Sequence, residues 1–292
     1  PRDGLQNQSV ILSVEQRVAL CQSLAATGLA SVEAGSFVSP KAVPAMAGAG
    51  DMVSLLGNGA AYQFLVPNMR GYQMARDAAA KSVLMVVCAT ETMNQKNVRA
   101  SVAEGMAAAA EMIVEAKNDG IKVSACVAVA WECPFEGKTD PQAVKDIVRF
   151  FFDAGADEVV LADTIGAANP ESVLALLNTL VAEHGAEHLG CHFHDTRAMG
   201  LANVAAALQA GIRKFDSSVG GLGGCPFAPG ATGNVATEDV VMMLHQMGYE
   251  TGIDLPALMQ VGRKAGELVG VDSGGRAAKW RELQVQKGKP LF

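Results

Sequence analysis

The feature that most constrains the fold of this chain is a repeated unit in which a helix-like run ends at a glycine and a short β-rich run follows. The unit recurs at Gly28, Gly120, Gly155, Gly185 and Gly211. A glycine suits the left-handed position that ends a helix. The last four of these glycines are 35, 30 and 26 residues apart, which is about the length of one strand, one helix and their connections. The spacing predicts a parallel α/β fold.

Seven segments are predicted to be strands, and several are apolar on both faces, as in a parallel sheet covered by helices. They are residues 29–33, 61–66, 82–89, 122–129, 158–163, 188–194 and 214–219. The chain opens at Pro1 without a methionine, so a first, truncated strand is expected before Pro1, with Pro1, Arg2 and Asp3 at its C-terminal end. The alternative, a doubly wound open sheet, usually carries a Gly-rich phosphate turn after its first strand. PRDGLQNQ is not such a turn, which favours a (β/α)8 TIM barrel.

We predict one catalytic domain over residues 1–292. Its barrel and active-site loop would occupy residues 1–234, and residues 235–292 would form the final barrel helix and a C-terminal helical extension. Three helix starts are marked by capping side chains. Ser13 with Gln16 reads as a capping box, and Asp140 and Asn169 each precede a proline at the first helical position.

Charge and cysteine content exclude several classes of partner and compartment. Lys and Arg total 23 against 30 Asp and Glu, a net charge of −7, which disfavours nucleic acid and anionic membranes as partners. An anionic substrate must therefore meet local donors or a metal. The six cysteines show no CxxC spacing, and no apolar stretch approaches the roughly 20 residues of a membrane span. These features predict a cytoplasmic, reducing compartment.

Two histidines lie two residues apart at the end of a predicted strand, in Gly190-Cys191-His192-Phe193-His194. Alternate side chains of a strand share a face, so His192 and His194 point into the barrel mouth if Cys191 and Phe193 pack against helices. Such a pair suits a metal ion, and barrel active sites lie at these strand ends. The alternative is a pair of hydrogen-bonded core histidines, which we consider less favoured for two imidazoles in this arrangement.

Four charged residues are further candidates. Asp3 supplies an oxygen ligand, and Arg2 supplies a permanent cation for a developing oxyanion, although a surface salt bridge explains the Arg-Asp pair equally well. Glu33 and Asp163 close the apolar runs SVE and LAD. Either acid alone could be a helix cap, but acids on two strands beside histidines on a third form a better site signature.

A glycine-rich segment follows the last predicted strand, over residues 220–234, with Cys225 near its centre. Loops after strands 7 and 8 of a barrel often bind phosphate. The segment is interpreted as a lid that carries a reactive thiol, with an ordinary loop as an equally weighted alternative.

With these residues in view, the chain resembles the hydroxymethylglutaryl-CoA lyases, which belong to a metal-dependent barrel superfamily that also contains the isopropylmalate and homocitrate synthases. The resemblance covers nearly the whole chain, through PRDGLQN, SVEAGSFVSPKAVPAM, QKNV, CPFEGK, LADTIG, CHFHDT, GLGGCPFAPGATGN and NVATEDVV. The synthases resemble it in the Arg-Asp-Gly start and the His-x-His pair but lack the Cys-containing loop.

The resemblance implies a retro-Claisen cleavage that gives acetyl-CoA and acetoacetate. It implies Mg²⁺ or Mn²⁺ held by Asp3, His192, His194 and Asn234, and an enolate stabilised by Arg2. Glu33, Asp163 and Cys225 would handle proton transfer, with Asp3, His192 and Cys225 all candidates for the base. An acyl-CoA substrate and a homodimer are also implied. The expected substrate-binding residues are Arg2, Gln6, Ser36, Asn97, Thr164, Gly223 and Gly224.

The chain departs from its relatives at a few places. Arg197-Ala198-Met199 stands where relatives commonly have a Tyr-Gly-Gln type of sequence, Ser9 replaces a lysine of some relatives, and the tail after residue 273 is atypical. The acyl preference is therefore open, and a longer branched 3-hydroxyglutaryl-CoA is one alternative. An acetyl-CoA-dependent 2-oxo-acid synthase and a non-catalytic scaffold that binds metal or acyl-CoA are the others.

Overall fold

The computed structural model describes residues 1–57, 61–224, 233–272 and 275–289. Its strands are β1 Val32–Ser36, β2 Tyr62–Leu65, β3 Ser82–Cys88, β4 Lys122–Ala128, β5 Glu132–Cys133, β6 Gly137–Lys138, β7 Glu158–Asp163, β8 Leu189–Phe193 and β9 Phe215–Asp216. Its helices are α1 Arg2–Gln6, α2 Val14–Ala25, α3 Ala49–Leu56, α4 Met69–Asp77, α5 Glu91–Val98, α6 Val102–Asn118, α7 Pro141–Ala154, α8 Pro170–His184, α9 Gly200–Gln209, α10 Thr237–Gln246, α11 Leu255–Val269 and α12 Arg276–Gln286.

Seven strands form one curled parallel sheet in the order β1-β2-β3-β4-β7-β8-β9, and β5 with β6 forms a separate hairpin. Consecutive sheet strands are neighbours, as in a (β/α)8 barrel. The outward side chains of each strand join the main core under the helices, as Val159 and Leu161 of β7 do. A second, smaller cluster fills the sheet interior and contains Val160 and Ala162 of the same strand. The sheet therefore has one face against helices and one face that surrounds a small interior.

The helix boundaries follow the predicted signals. Ser13 and Gln16 form a capping box at α2, and Asp140 and Asn169 each accept a backbone N–H at the first turn of α7 and α8. The five glycines of the repeated unit all have positive φ. These predictions are confirmed, and they explain why each helix stops where the next strand must begin.

Several predicted strand bounds are wrong. The first strand was placed at 29–33 but is Val32–Ser36, because pairing starts where Val32 meets Tyr62 of β2. Glu33 therefore lies near the start of β1 and does not end it. The last strand was placed at 214–219 but only Phe215–Asp216 pairs, since the chain turns into a 3-10 helix at Val219–Gly221. The remaining bounds agree to within one residue.

The N-terminal segment is a second correction. Pro1, Arg2 and Asp3 were predicted to end a strand, but Arg2–Gln6 forms a helical turn. The N–H of Leu5 donates to the carbonyl of Pro1 at 2.9 Å, and Leu5 is buried. That turn directs the side chains of Arg2 and Asp3 across the sheet end.

The C-terminal extension is helical, as predicted. Glu238 in the first turn of α10 accepts N–H groups of Gly220 and Gly275, and Asp239 accepts those of Arg276 and Ala277. These two acids tie α12 to the turn after β9. None of the helices in the described part of the chain is long and apolar enough to cross a membrane.

Candidate active site

The two histidines of the CHFHD run project to one side of β8. Cys191 and Phe193 are buried in the main core under the helices, so His192 and His194 take the opposite face, as the alternation predicted. Their ring centroids are 5.2 Å apart. The pair therefore lies at the C-terminal end of β8, where barrel enzymes carry their chemistry.

Asp3 and Asn234 reach the same place from two other segments. The ligand atoms of Asp3, His192 and His194 all lie within 4.8 Å of one another. Residues 233–236 run beside the end of β8, and an isolated β-bridge joins His194 to Asn234. The amide of Asn234 donates to Asp3 Oδ2 at 2.6 Å and to the carbonyl of Leu222 at 3.1 Å. Segments far apart in sequence thus form one polar cluster.

Arg2 is held beside this cluster by three side chains. Its Nε and one terminal nitrogen donate to the two carboxylate oxygens of Glu33, at 2.8 and 3.1 Å. Its other terminal nitrogen donates to Asp3 Oδ1 at 3.1 Å and to Gln6 Oε1 at 3.2 Å. Paired, bidentate contacts of this kind orient a guanidinium group. The orientation of the Arg2 guanidinium group is therefore fixed by these contacts.

For Asp3 and His192, neighbouring charges shift the pKa in the direction opposite to the shift that burial causes. Burial would raise the pKa of Asp3, but Arg2, His192, the Asn234 hydrogen bond and His194 lower it to about 2. Burial, reinforced by His192, lowers the pKa of His194 to about 4. Burial would also lower the pKa of His192, but Asp216, Asp3 and Glu33 raise it above its usual value. At neutral pH the site thus offers an ionised carboxylate and a neutral imidazole.

The donor set fits a divalent cation. Nδ1 of His194 and Oδ1 of Asn234 are buried without a hydrogen-bond partner among the described residues, and buried polar atoms seldom stay unpaired. One carboxylate, two imidazoles and an amide oxygen make a mixed oxygen and nitrogen shell. Such a shell suits Mg²⁺ or Mn²⁺ better than structural zinc, which favours a closed, Cys-rich set of ligands.

The sequence model of the HMGL-like protein family matches residues 1–264 of this chain. The chain belongs to the HMGL-like family. It is 43% identical over 279 residues to the hydroxymethylglutaryl-CoA lyase of Pseudomonas mevalonii, covering 95% of this chain and 93% of that protein. It is 38% identical to the 3-hydroxy-3-isohexenylglutaryl-CoA/hydroxymethylglutaryl-CoA lyase of Pseudomonas aeruginosa, covering 96% and 94%. A crystal structure of hydroxymethylglutaryl-CoA lyase from Pseudomonas aeruginosa superimposes with a TM-score of 0.93 at 38% identity, covering 97% of this chain and 95% of that one. The assignment to the TIM-barrel fold is thereby confirmed, with a curled parallel sheet of seven strands in the described residues.

Gly223 of this HMGL-like chain lies against the polar cluster. Its φ is +129°, and a methyl group at its Cα would overlap the amide nitrogen of Asn234 and lie 3.4 Å from Asp3 Oδ2. The sequence predicted Gly223 as a substrate-binding residue, and the structure adds that only a glycine leaves Asn234 in place.

We expect Gly223→Ala to weaken Mn²⁺ binding by at least tenfold, of the order seen when a ligand's supporting contact is lost. Isothermal titration calorimetry measures this. Gly120→Ala is the matched control, because Gly120 also has positive φ (+68°) but nothing within 4 Å of the added methyl. Equal Mn²⁺ affinity of the two variants would rule out a role for Gly223 in seating Asn234.

Asp216 is a site residue that the sequence analysis missed. It lies opposite His192 in the β8–β9 register, and its Oδ2 is 3.6 Å from Nδ1 of His192. A carboxylate on the second ring nitrogen orients a metal-binding imidazole. The acid follows Phe215 on an adjacent predicted parallel strand, so aligning the two strand ends could have found it.

We expect Asp216→Asn to lower Mn²⁺ affinity by about 10- to 100-fold, the usual effect of losing such a partner. The measurement is again calorimetric. Glu187→Gln is the control, because Glu187 lies 3.7 Å from Nε2 of the exposed His188 in a similar pair away from the cluster. If Asp216→Asn bound Mn²⁺ as tightly as Glu187→Gln, Asp216 would have no part in orienting His192.

The other predicted substrate residues are not joined to the cluster by any hydrogen bond of the described residues. The hydroxyl of Ser36 accepts the N–H of Val38, and that of Thr164 accepts the N–H of Val129. Asn97 donates to the sulfur of Cys88 at 3.8 Å, and the carbonyl of Gly224 accepts from Asn7. Their substrate contacts stay predictions. Cys225 lies outside the described residues.

Asp163 takes a position different from that of the histidines. It shares the outward face of β7 with Val159 and Leu161, and its carboxylate accepts the N–H groups of Ala167 and Ala168. Burial raises its pKa to about 6, against the opposing effect of those two bonds and of His192 and Arg197. The acid thus holds the β7–α8 loop, and its predicted role in proton transfer stays a prediction.

The raised pKa of Asp163 predicts a pH-dependent stability. The folded value of about 6 exceeds the ordinary 3.8, so the folded chain binds the proton more tightly and stability falls as pH rises between these values. We expect the free energy of unfolding of the wild type to fall by about 2 kcal/mol relative to Asp163→Asn from pH 4 to 7. Chemical denaturation at several pH values measures the difference. A difference that is constant or grows with pH would contradict the assignment.

Proposed function

We propose that this chain is a divalent-metal-dependent lyase that cleaves 3-hydroxy-3-methylglutaryl-CoA to acetyl-CoA and acetoacetate. The observation that carries the proposal is that the ligand atoms of Asp3, His192 and His194 lie within 4.8 Å of one another. The guanidinium group of Arg2 lies beside them, and the chain belongs to the HMGL-like family.

Asp3, His192, His194 and Asn234 would hold Mg²⁺ or Mn²⁺. The bound ion would supply Lewis-acid polarisation of the substrate's tertiary hydroxyl. Loss of the hydroxyl proton lets the C3–O electrons form the ketone of acetoacetate while the C2–C3 bond breaks. Its electrons pass to the enolate of acetyl-CoA, which then takes up a proton at C2. Arg2, held in place by Glu33 and Gln6, would stabilise the negative charge on the thioester oxygen.

The pKa of Asp3 and the contacts of His192 reduce the number of candidates for the base that removes the hydroxyl proton. Asp3 has a pKa of about 2, so it is a poor proton acceptor near neutral pH. His192 would hold the ion through one ring nitrogen and contact Asp216 through Nδ1, so a metal-bound His192 has no free lone pair with which to accept a proton. We therefore propose that Cys225, and not the metal-bound His192 or the ionised Asp3, removes the hydroxyl proton, and that Glu33 acts through Arg2.

A longer branched 3-hydroxyglutaryl-CoA is the second candidate substrate. The similarity to the enzyme of Pseudomonas aeruginosa supports it. The departure from relatives at Arg197-Ala198-Met199, where Arg197 and Met199 are exposed, leaves the acyl preference open. A synthase and a metal-binding scaffold are the remaining alternatives. A homodimer is proposed from family resemblance and can be checked by light scattering.

The test is a direct assay that measures acetoacetate from 3-hydroxy-3-methylglutaryl-CoA, with Mn²⁺ and with EDTA. The same protein is tested with 3-hydroxy-3-isohexenylglutaryl-CoA, and with acetyl-CoA plus 2-oxo acids. We expect metal-dependent cleavage of the methyl substrate and no consumption of 2-oxo acids. Preference for the isohexenyl substrate would overturn the substrate assignment, and condensation without cleavage would overturn the lyase assignment.

A further inference from the structure

Val129, directly after β4, adopts an unusual backbone conformation. Its φ is +52°, a left-handed value that is a true outlier for a β-branched residue, and its side chain is fully buried. Strained residues of this kind persist only where the surroundings enforce them, and they cluster near functional sites. The surroundings of Val129 are therefore informative.

Two threonine hydroxyls hold the Val129 backbone. Thr164 accepts its N–H at 2.8 Å, and Thr139 donates to its carbonyl at 2.7 Å. The next residue, Ala130, then rejoins the sheet by donating to the carbonyl of Ala162 at 3.0 Å. Each hydroxyl gives a buried backbone group of Val129 a hydrogen-bond partner that it would otherwise lack. Together the two bonds hold the chain in its new direction.

After this change of direction, Trp131 lies against β8 on the face opposite the two imidazoles. Its ring lies 5.6 Å from that of Phe193 between centroids, at 38°, and its indole N–H donates to the carbonyl of Ser172 at 3.2 Å. Phe193 is the residue between His192 and His194, on the opposite face of β8. The Phe193 ring and both imidazoles are therefore attached to one three-residue stretch of backbone.

The residue after Trp131 holds the same segment from its other end. Glu132 accepts from the guanidinium of Arg197 at 3.0 Å, and Arg197 is three residues beyond His194. Residues 131–132 thus contact β8 and its loop on both sides of His194. An exposed ion pair alone contributes little, but here it adds to a buried aromatic contact.

We propose that Trp131, seated by the left-handed Val129 and its two threonines, is a positioning residue for the His192–His194 pair. This inference rests on the proposed metal site. It assigns Thr164 and Thr139 a role through the backbone of Val129, which is separate from the substrate contact predicted for Thr164.

The test uses Trp131→Leu and Thr139→Val, with Thr139→Ser as the conservative variant that keeps the hydroxyl. Two quantities are measured: Mn²⁺ affinity by calorimetry, and the NMR signals of the His192 and His194 rings in metal-free protein labelled on histidine. We expect Trp131→Leu and Thr139→Val to shift both ring signals and to weaken Mn²⁺ binding by about tenfold, at the low end for residues that orient ligands. Thr139→Ser should leave both the ring signals and the Mn²⁺ affinity as in the wild type.

Two variants control for a general loss of packing or hydrogen bonding. Thr27→Val removes a matched buried hydroxyl that donates to the carbonyl of Leu24 at 2.7 Å, at the end of α2. Phe151→Leu removes a fully buried aromatic ring from α7. Both should lower the free energy of unfolding yet leave the ring signals and Mn²⁺ affinity unchanged.

Unshifted ring signals in Trp131→Leu, or equal shifts in the two control variants, would overturn the proposal. If His194→Ala bound Mn²⁺ as tightly as the wild type, the proposed metal site would fail instead. The ring signals of the metal-free protein would then still decide whether Trp131 positions the histidines.

Discussion

His194→Ala is expected to lower kcat for 3-hydroxy-3-methylglutaryl-CoA at least about 10³-fold, with Mn²⁺ near wild-type saturating levels. A bound cation stabilises transition-state charge by several kcal/mol, and about 1.4 kcal/mol corresponds to a tenfold change in rate. His194 is suited to this role because burial and His192 lower its pKa to about 4. The neutral ring needs no deprotonation before it binds a cation. Acetoacetate release measures the rate.

The change should act on the metal and not on the fold. Nδ1 of His194 has no hydrogen-bond partner among the described residues, so alanine removes an unpaired polar atom and leaves no orphaned donor elsewhere. Thermal denaturation of the metal-free proteins checks this. His188→Ala is the control, since that ring is exposed and pairs with Glu187. Turnover by His194→Ala within tenfold of the His188→Ala rate would contradict the role of His194 as a ligand.

Arg2→Gln is expected to lower kcat by about 10²- to 10³-fold with little change in KM, the effect of losing one preorganised oxyanion donor. The amide nitrogen of glutamine occupies about the position of Nε, which contacts Glu33, and it carries no charge toward the thioester oxygen. Arg2→Lys should recover only part of the loss, because a lysine cannot reproduce the bidentate contact with Glu33. Steady-state kinetics of the three proteins measures these differences.

Two further variants separate the charge of Arg2 from its orientation. Glu33→Gln leaves the cation in place but weakens its bidentate contact, so we expect a smaller loss of kcat than in Arg2→Gln. Arg263→Gln removes a half-exposed arginine paired with Glu282 at 2.6 Å on the C-terminal helices, and it should have no effect. If Arg2→Gln kept more than a tenth of wild-type kcat, Arg2 would not be the oxyanion donor.

The position of the histidines in the polar cluster was predictable because it depends on rules with a short range in sequence. The alternation of Cys191, His192, Phe193 and His194 determines which side chains face the barrel interior once one face is known to be apolar. Parallel strands then bring their C-terminal ends to one edge. Asp3 was placed correctly beside the histidines even though its segment is a helical turn and not a strand.

The parts that could not be predicted depend on how the backbone turns after a strand ends and on which side chains hold that turn. Asp163 was expected at the site because it ends an apolar run, and its role in proton transfer stays a prediction. Nothing in the run LAD indicated that its carboxylate also accepts the loop N–H groups of Ala167 and Ala168. Likewise, the left-handed conformation of Val129 is set by hydroxyls 10 and 35 residues away, and valine itself opposes it.

The most direct test of the account is a calorimetric titration of the metal-stripped protein and of Asp3→Asn, His192→Ala and His194→Ala with Mn²⁺. The account predicts one ion per chain for the wild type and at least 100-fold weaker binding in each variant, more than the loss of an orienting partner alone produces. Wild-type affinity in any of the three variants would show that Asp3, His192 and His194 do not share one cation, and would contradict the proposed mechanism.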